Sequence, residues 1–94
     1  MLLALDIGNT NIVVGVFDGN DLLHSWRLST LRQRTADEMG IWLVQLFRHG
    51  GLEVGGVDGV VMASVVPTLT RPTLEMAKRY FGHAPLVVDG EAKT

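Results

Sequence analysis

The chain has 94 residues, 47% hydrophobic and 19% charged, with a formal net charge of −2 and no cysteine. That length makes one small domain, or one lobe of a larger protein, and the lack of cysteine excludes disulfides and thiolate metal sites and suits a reducing cytoplasm. Basic and acidic residues are interspersed, which argues against nucleic acid as a partner; no basic segment precedes the first apolar run and no apolar run is long enough for a bilayer, so neither a signal peptide nor a membrane span is expected.

Leu2 to Leu5 reads as a first strand buried on both faces, and Asn11 to Phe17 as a second. Asp18-Gly19-Asn20-Asp21 is a hairpin turn, because Gly and Asn supply positive φ at little cost. A third strand runs from about Leu22 to Leu28. Its alternation puts Leu22, His24, Trp26 and Leu28 on one face and Leu23, Ser25 and Arg27 on the other. One face is then at least partly wet, which marks a sheet edge. Ser29 to Arg34 is polar and basic. A solvated loop is the plainer reading, with anion binding by Arg32 and Arg34 as the alternative.

Thr35-Ala36-Asp37-Glu38 has the form of a capping box, with Thr35 at the N-cap and Glu38 at N3. Met39, Trp42, Leu43, Leu46 and Phe47 follow at helical spacing and form one wide apolar stripe, on which Trp42 reads as core. Arg48 and His49 suit the last turn, and Gly50-Gly51 stops the helix. Leu52 to Asp58 is a glycine-rich connector. Gly59 to Val66 is almost continuously apolar, as expected of a central strand buried on both faces. Pro67 ends it. A second helix is expected from Thr68 or Thr70, either of which can cap it, with Pro72 tolerable only in the first turn. Leu74, Ala77 and Phe81 share a face of it, Glu75 can pair with Arg79, and Gly82 closes it. Leu86-Val87-Val88 is the last strand.

The order is β-β-β-α-β-α-β. Right-handed crossovers place the last two strands parallel to the first. The expected architecture is α/β, with a mixed five-stranded sheet in the order 3-2-1-4-5 and only the second strand antiparallel, a ribonuclease-H-like core. The turn after the first strand and the loop after Ser64 then meet at the carboxyl end of neighbouring strands, where ligand clefts in such sheets open. So apolar a short chain is also expected to pack part of its surface on a second lobe or a partner subunit.

The turn between the first two strands, Asp6-Ile7-Gly8-Asn9-Thr10-Asn11, carries more chemistry than a hairpin needs. Gly8 lets a ligand approach the backbone closely, Asn9 tolerates left-handed dihedrals, and Thr10 offers a hydroxyl. Successive N–H groups in such a turn can converge on an anion. Asp6 would repel a phosphate unless a divalent cation stood between them, and Mg²⁺ takes carboxylate, water and phosphate oxygens together. The plain alternative is a simple hairpin turn.

Asp6-Ile7-Gly8-Asn9-Thr10 resembles the first phosphate motif of the acetate-and-sugar-kinase, Hsp70 and actin superfamily. The longer run from Leu3 to Val13 is similar, more narrowly, to type III pantothenate kinases. Trp26-Arg27-Leu28-Ser29-Thr30 with Arg34-Thr35-Ala36-Asp37-Glu38, then Ser64-Val65-Val66-Pro67, then Tyr80-Phe81-Gly82 leading into Pro85-Leu86-Val87-Val88, extend the resemblance over the whole chain.

The resemblance implies an actin-like ATPase core, with residues 1–94 as the N-terminal phosphate-binding domain of a protein more than twice as long. It implies that Asp6, Ile7, Gly8, Asn9, Thr10, Asn11, Ile12 and Val13 bind ATP, with Asp6 toward Mg²⁺. The implied reaction is ATP-dependent phosphorylation of pantothenate to 4'-phosphopantothenate, the first step of coenzyme A synthesis, by a cytoplasmic homodimer that uses Mg²⁺ and a monovalent cation, K⁺ or NH4⁺. The family's general base lies in a Gly-x-Asp-Arg stretch that this chain lacks, so no catalytic residue is assigned within it. The potassium ligand and the adenosine motif are likewise expected beyond Thr94. Asp37, Asp58 and Asp89 are poor substitutes, the first belonging to a helix start and the others to glycine-flanked loops. Two other classes stay open: a lobe of another actin-like sugar kinase or chaperone ATPase, and a non-catalytic regulatory protein, a transcription accessory factor, that keeps the fold.

Overall fold

The structure, a computed structural model, describes residues 1–88. Five strands make one sheet: β1 (Leu2–Ile7), β2 (Asn11–Asp18), β3 (Asp21–Ser29), β4 (Gly59–Ser64) and β5 (Leu86–Val88). Their order is β3-β2-β1-β4-β5, with β2 antiparallel to both neighbours and β1, β4 and β5 parallel, as expected. Helix α1 (Ala36–His49) links β3 to β4, and α2 (Pro67–Met76) links β4 to β5.

The alternation of each strand divides the sheet into two unlike faces. Leu3, Leu5 and Ile7 of β1, Ile12, Val14 and Val16 of β2, and Val60 and Met62 of β4 are buried against Met39, Leu43 and Phe47 of α1 and Leu69 and Met76 of α2. Complete burial of a side chain such as Phe47 contributes about 1.5–3 kcal/mol. The other face carries Ala4, Asp6, Val13, Gly15, Phe17, Val61, Ala63 and Val88 around an open groove of about 370 Å³. Burial of β1 and β4 on both faces is therefore not found within the described residues. Both helices pack on the same side, so only alternate residues of each strand meet them.

The turn between β2 and β3 uses Gly19 at φ +60°. β3 departs from simple alternation. Val16 pairs with His24 but Phe17 pairs with Leu22, so Leu23 is an extra residue. The bulge turns Leu22 onto the open face beside Phe17 and Ser25, and off the face of His24, Trp26 and Leu28 where alternation had put it.

α1 starts as its sequence dictates. Thr35 Oγ1 accepts the Glu38 N–H at 3.1 Å, and Glu38 Oε1 accepts the Thr35 N–H at 2.8 Å. The buried stripe is Ala36, Met39, Gly40, Leu43 and Phe47. Trp42 is not part of it. It lies at the margin, 48% exposed, with the Arg34 guanidinium stacked 5.0 Å from its ring centre. At about 100° per residue, Met39, Leu43 and Phe47 centre the stripe and Trp42 falls outside it.

α2 starts earlier than expected. Pro67 occupies its first turn and the N-cap, Val66, makes no side-chain cap bond. Proline is pre-organised for that position. Thr68 does not cap; its Oγ1 donates instead to the Arg32 carbonyl at 2.8 Å. Pro72 therefore lies inside the helix, which then loosens into a π turn, Ala77–Phe81, closed by Gly82 at φ +76°. Arg79 pairs not with Glu75 but with Asp37 of α1, at 2.7 Å.

Candidate functional site

β1 ends at Ile7 and β2 begins at Asn11, so Gly8, Asn9 and Thr10 make the turn alone. The Gly8 N–H closes it on the Asn11 carbonyl at 2.9 Å. A Cβ on residue 8 would stand 3.2 Å from that oxygen, which is the physical reason for glycine here. No non-glycine residue among those described has positive φ, so the left-handed tolerance of Asn9 is not used.

Two of the three turn carbonyls are engaged from the other side. Thr30 N–H donates to Thr10 O at 2.9 Å, and Thr30 Oγ1 donates to Gly8 O at 2.8 Å. Arg32 Nη2 donates to Asn9 Oδ1 at 3.0 Å. The segment after β3 is thus strapped onto the turn and is not a free solvated loop. With the Gly8 and Thr10 carbonyls held by Thr30, the turn keeps the N–H groups of Asn9 and Thr10 without an acceptor among the described residues. Donors without acceptors, on exposed residues in a turn at a strand end, are groups that can converge on an anion.

The other expected site residues fall into two groups. Ile7 and Ile12 are buried in the core and touch the turn only through the main chain. Asp6, exposed, and Val13, half-buried, stand opposite each other on the open face, at the mouth of the groove. Asn11 is half-buried at the start of β2. The loop after β4 does meet the turn: Ile7 pairs with Ser64, and Val65 N–H donates to Ile7 O at 3.0 Å. Ser64 Oγ is engaged locally, bonding both the N–H and the carbonyl of Val66 at 3.1 Å.

Arg34, the other cation of the strap, points elsewhere. It is buried on Trp42, and its Nε has no hydrogen-bond partner among the described residues. Asp37 belongs to the contact between α1 and the π turn after α2, where Arg79 and Tyr80 bond it. Asp58 lies at the amino end of the strands, where its carboxylate holds the Met1 amino group at 2.7 Å. Asp89 lies outside the described residues.

Thr30 escaped the sequence reading, since its partners are twenty or more positions away and no local pattern announces them. No group of three or more potential metal ligands occurs among the described residues. Mg²⁺ does not need one: it commonly keeps several waters and uses one or two carboxylates plus substrate phosphates. Asp6 beside a donor-rich turn fits that mode.

A strand-turn-strand with a carboxylate on its first strand and bare amides in its turn is common to several nucleotide-binding folds, and sequence relatives decide among them. The family profile of type III pantothenate kinase matches residues 2–94. The chain belongs to the type III pantothenate kinase family. Type III pantothenate kinases of Moorella thermoacetica and Geobacter sulfurreducens are 52% and 48% identical to it over all 94 residues. The chain spans 37% of the length of each. In three dimensions it resembles the ROK hexokinase of Thermus thermophilus, with a TM-score of 0.69 at 18% identity, covering 94% of this chain and 34% of that one. That likeness shows a shared fold. No helix among the described residues is long and apolar enough to cross a membrane.

Proposed function

We propose that residues 1–94 form the N-terminal phosphate-binding domain of an ATP-dependent pantothenate kinase. The observation that carries this reading is the turn whose Gly8 and Thr10 carbonyls are held by Thr30 while the Asn9 and Thr10 amides have no acceptor among the described residues. Gly8 lets an anion come close to the main chain, and the Thr10 hydroxyl and Asn9 amide add donors at its rim. Asn11 supplies main chain at the start of β2, and Ile7, Ile12 and Val13 frame the turn from its two strands. Asp6 would hold Mg²⁺, through water or directly, and the ion would neutralise charge on the phosphates during transfer.

The reaction moves the γ-phosphoryl group of ATP onto the 4'-hydroxyl of pantothenate, giving ADP and 4'-phosphopantothenate. The bond from the γ-phosphorus to its bridging oxygen breaks as a bond to the hydroxyl oxygen forms. The hydroxyl proton goes to a base outside this chain, in the Gly-x-Asp-Arg stretch that the family resemblance places further along. Transfer of this kind asks a protein mainly for positioning and charge stabilisation, and this domain supplies the phosphate half of both. The monovalent cation, the homodimer and the cytoplasmic setting belong to the same proposal, resting on family membership.

The test is a comparison of lengths. A full-length kinase beginning with these 94 residues should turn over ATP and pantothenate with Mg²⁺ and K⁺. Residues 1–94 alone should bind ATP weakly and show no pantothenate-dependent ADP formation. An isolated phosphate loop stays wet and screened, and half a cleft cannot exclude water. Turnover by residues 1–94 that disappears on Asp6→Asn would place the catalytic machinery in this piece and overturn the division proposed here.

A further inference from the structure

Arg32 stands at the phosphate turn with no acidic partner among the described residues. It is exposed. Its one side-chain bond is the 3.0 Å contact to Asn9 Oδ1, across 23 positions of sequence. The backbone that carries it is fixed independently. Thr30 bonds the turn twice, and Thr68 Oγ1 holds the Arg32 carbonyl at 2.8 Å. The strap therefore does not need the Arg32 side chain to stay in place, and an exposed contact of this kind contributes little to stability.

The chemistry of the contact determines more than its strength. A guanidinium has only donors, while an asparagine amide has an acceptor end and a donor end. Arg32 can therefore bond only the oxygen of Asn9. This fixes the amide with Nδ2 on the far side, and that group has no acceptor among the described residues. The flipped amide would offer an oxygen to any anion on the turn, and would repel it.

Resting on the phosphate-turn reading above, we propose that Arg32 is a phosphate-positioning residue. It holds the Asn9 amide with its donor end available to the polyphosphate tail of a nucleoside triphosphate, and keeps a positive charge one hydrogen bond from the turn. Charge-assisted bonds to phosphate are the strong ones, so the effect should grow with the number of phosphates.

The experiment is an NMR titration of the ¹⁵N-labelled 94-residue chain with inorganic tripolyphosphate and, separately, with MgATP at millimolar concentration. In the unmodified chain the Asn9 Nδ2 resonances and the Asn9 and Thr10 backbone amides should shift together. Arg32→Ala should weaken tripolyphosphate binding about tenfold, abolish the Asn9 side-chain response and leave the thermal midpoint unchanged. Asn9→Ala combined with Arg32→Ala should bind little worse than Arg32→Ala alone, because the two act as a unit. If Asn9→Ala weakens binding while Arg32→Ala binds as tightly as the unmodified chain, the Arg32 role is overturned and the phosphate turn stands. A large drop in the thermal midpoint with Arg32→Ala would make the residue structural and overturn it too. If neither probe moves any resonance of the turn, the phosphate reading itself fails, and the Arg32 role with it.

Discussion

The ring of Tyr80 lies where a side chain on residue 40 would be. An ideal Cβ on Gly40 comes within 2.2 Å of Tyr80 Cδ1 and 2.6 Å of Cγ. The contact joins the middle of α1 to the π turn after α2, and the Tyr80 hydroxyl reaches on to Asp37 Oδ1 at 2.7 Å. Gly40 is thus a packing residue in the middle of a helix where glycine is otherwise unfavourable.

Gly40→Ala should therefore destabilise the domain by about 1–3 kcal/mol, an overpacking cost that outweighs the helix propensity of alanine. The clash involves the near side of the ring, so a small rotation cannot relieve it. In a Tyr80→Ala background the same substitution should become neutral or stabilising. Urea midpoints of the four proteins test this, and a Gly40→Ala penalty of the same size in both backgrounds would refute it.

Thr35→Ala should cost about 1 kcal/mol, as loss of an N-cap does. Both halves of the capping box depend on Thr35, since its hydroxyl accepts from Glu38 N–H and its own N–H is held by Glu38. The same denaturant melts measure it, and an unchanged midpoint would mean that the box is idle.

Stability should fall in acid through α1. The Tyr80 hydroxyl foremost, then the Arg79 guanidinium, bond Asp37 and hold its carboxyl below the ordinary range. Glu38 is lowered by the Thr35 backbone N–H first, and Asp58 by the N-terminal amino group. A carboxyl lowered in the folded state adds stability that is present above its unfolded pKa and is lost as the pH falls through the folded one. Asp37→Asn should accordingly destabilise the chain near pH 7 and make progressively less difference as the pH falls through the folded value of the carboxyl. A gap that stays the same as the pH falls would show that the Asp37 charge contributes nothing.

In a full-length kinase carrying these residues, Asp6→Asn should lower turnover about a hundredfold or more while leaving the circular dichroism spectrum intact, since a metal anchor is lost without loss of packing. Raising Mg²⁺ should recover part of the rate. Near-normal turnover with an unchanged Mg²⁺ requirement would remove Asp6 from the metal.

The places where sequence reading failed share one cause. Leu22 alternates correctly with His24 and Trp26, and only the register of β3 against Val16 and Phe17 shows the bulge that turns it over. Trp42 keeps helical spacing with Leu46, and only the packing direction of α1 puts it outside the core and under Arg34. Thr68 is a sound cap candidate, but the Arg32 carbonyl competes for its hydroxyl and Pro67 takes the helix start. Each error is a local rule overridden by a packing or pairing contact that the local pattern does not encode.

By itself the sequence determined the elements, their order in the sheet and the location of the turn between β1 and β2. These depend on short-range physics: alternation in strands, the Thr35–Glu38 box, glycine in turns and the handedness of crossovers. The tertiary structure decided which sheet face is covered, because that depends on both helices lying on one side. It also decided what the turn can offer a ligand. Thr30 and Arg32 reach the turn from 20 or more residues away, and engage the Gly8 and Thr10 carbonyls and the Asn9 side-chain oxygen, while the Asn9 and Thr10 N–H groups keep no acceptor among the described residues. No local pattern encodes that assignment of donors and acceptors; it exists only when the two segments are brought together.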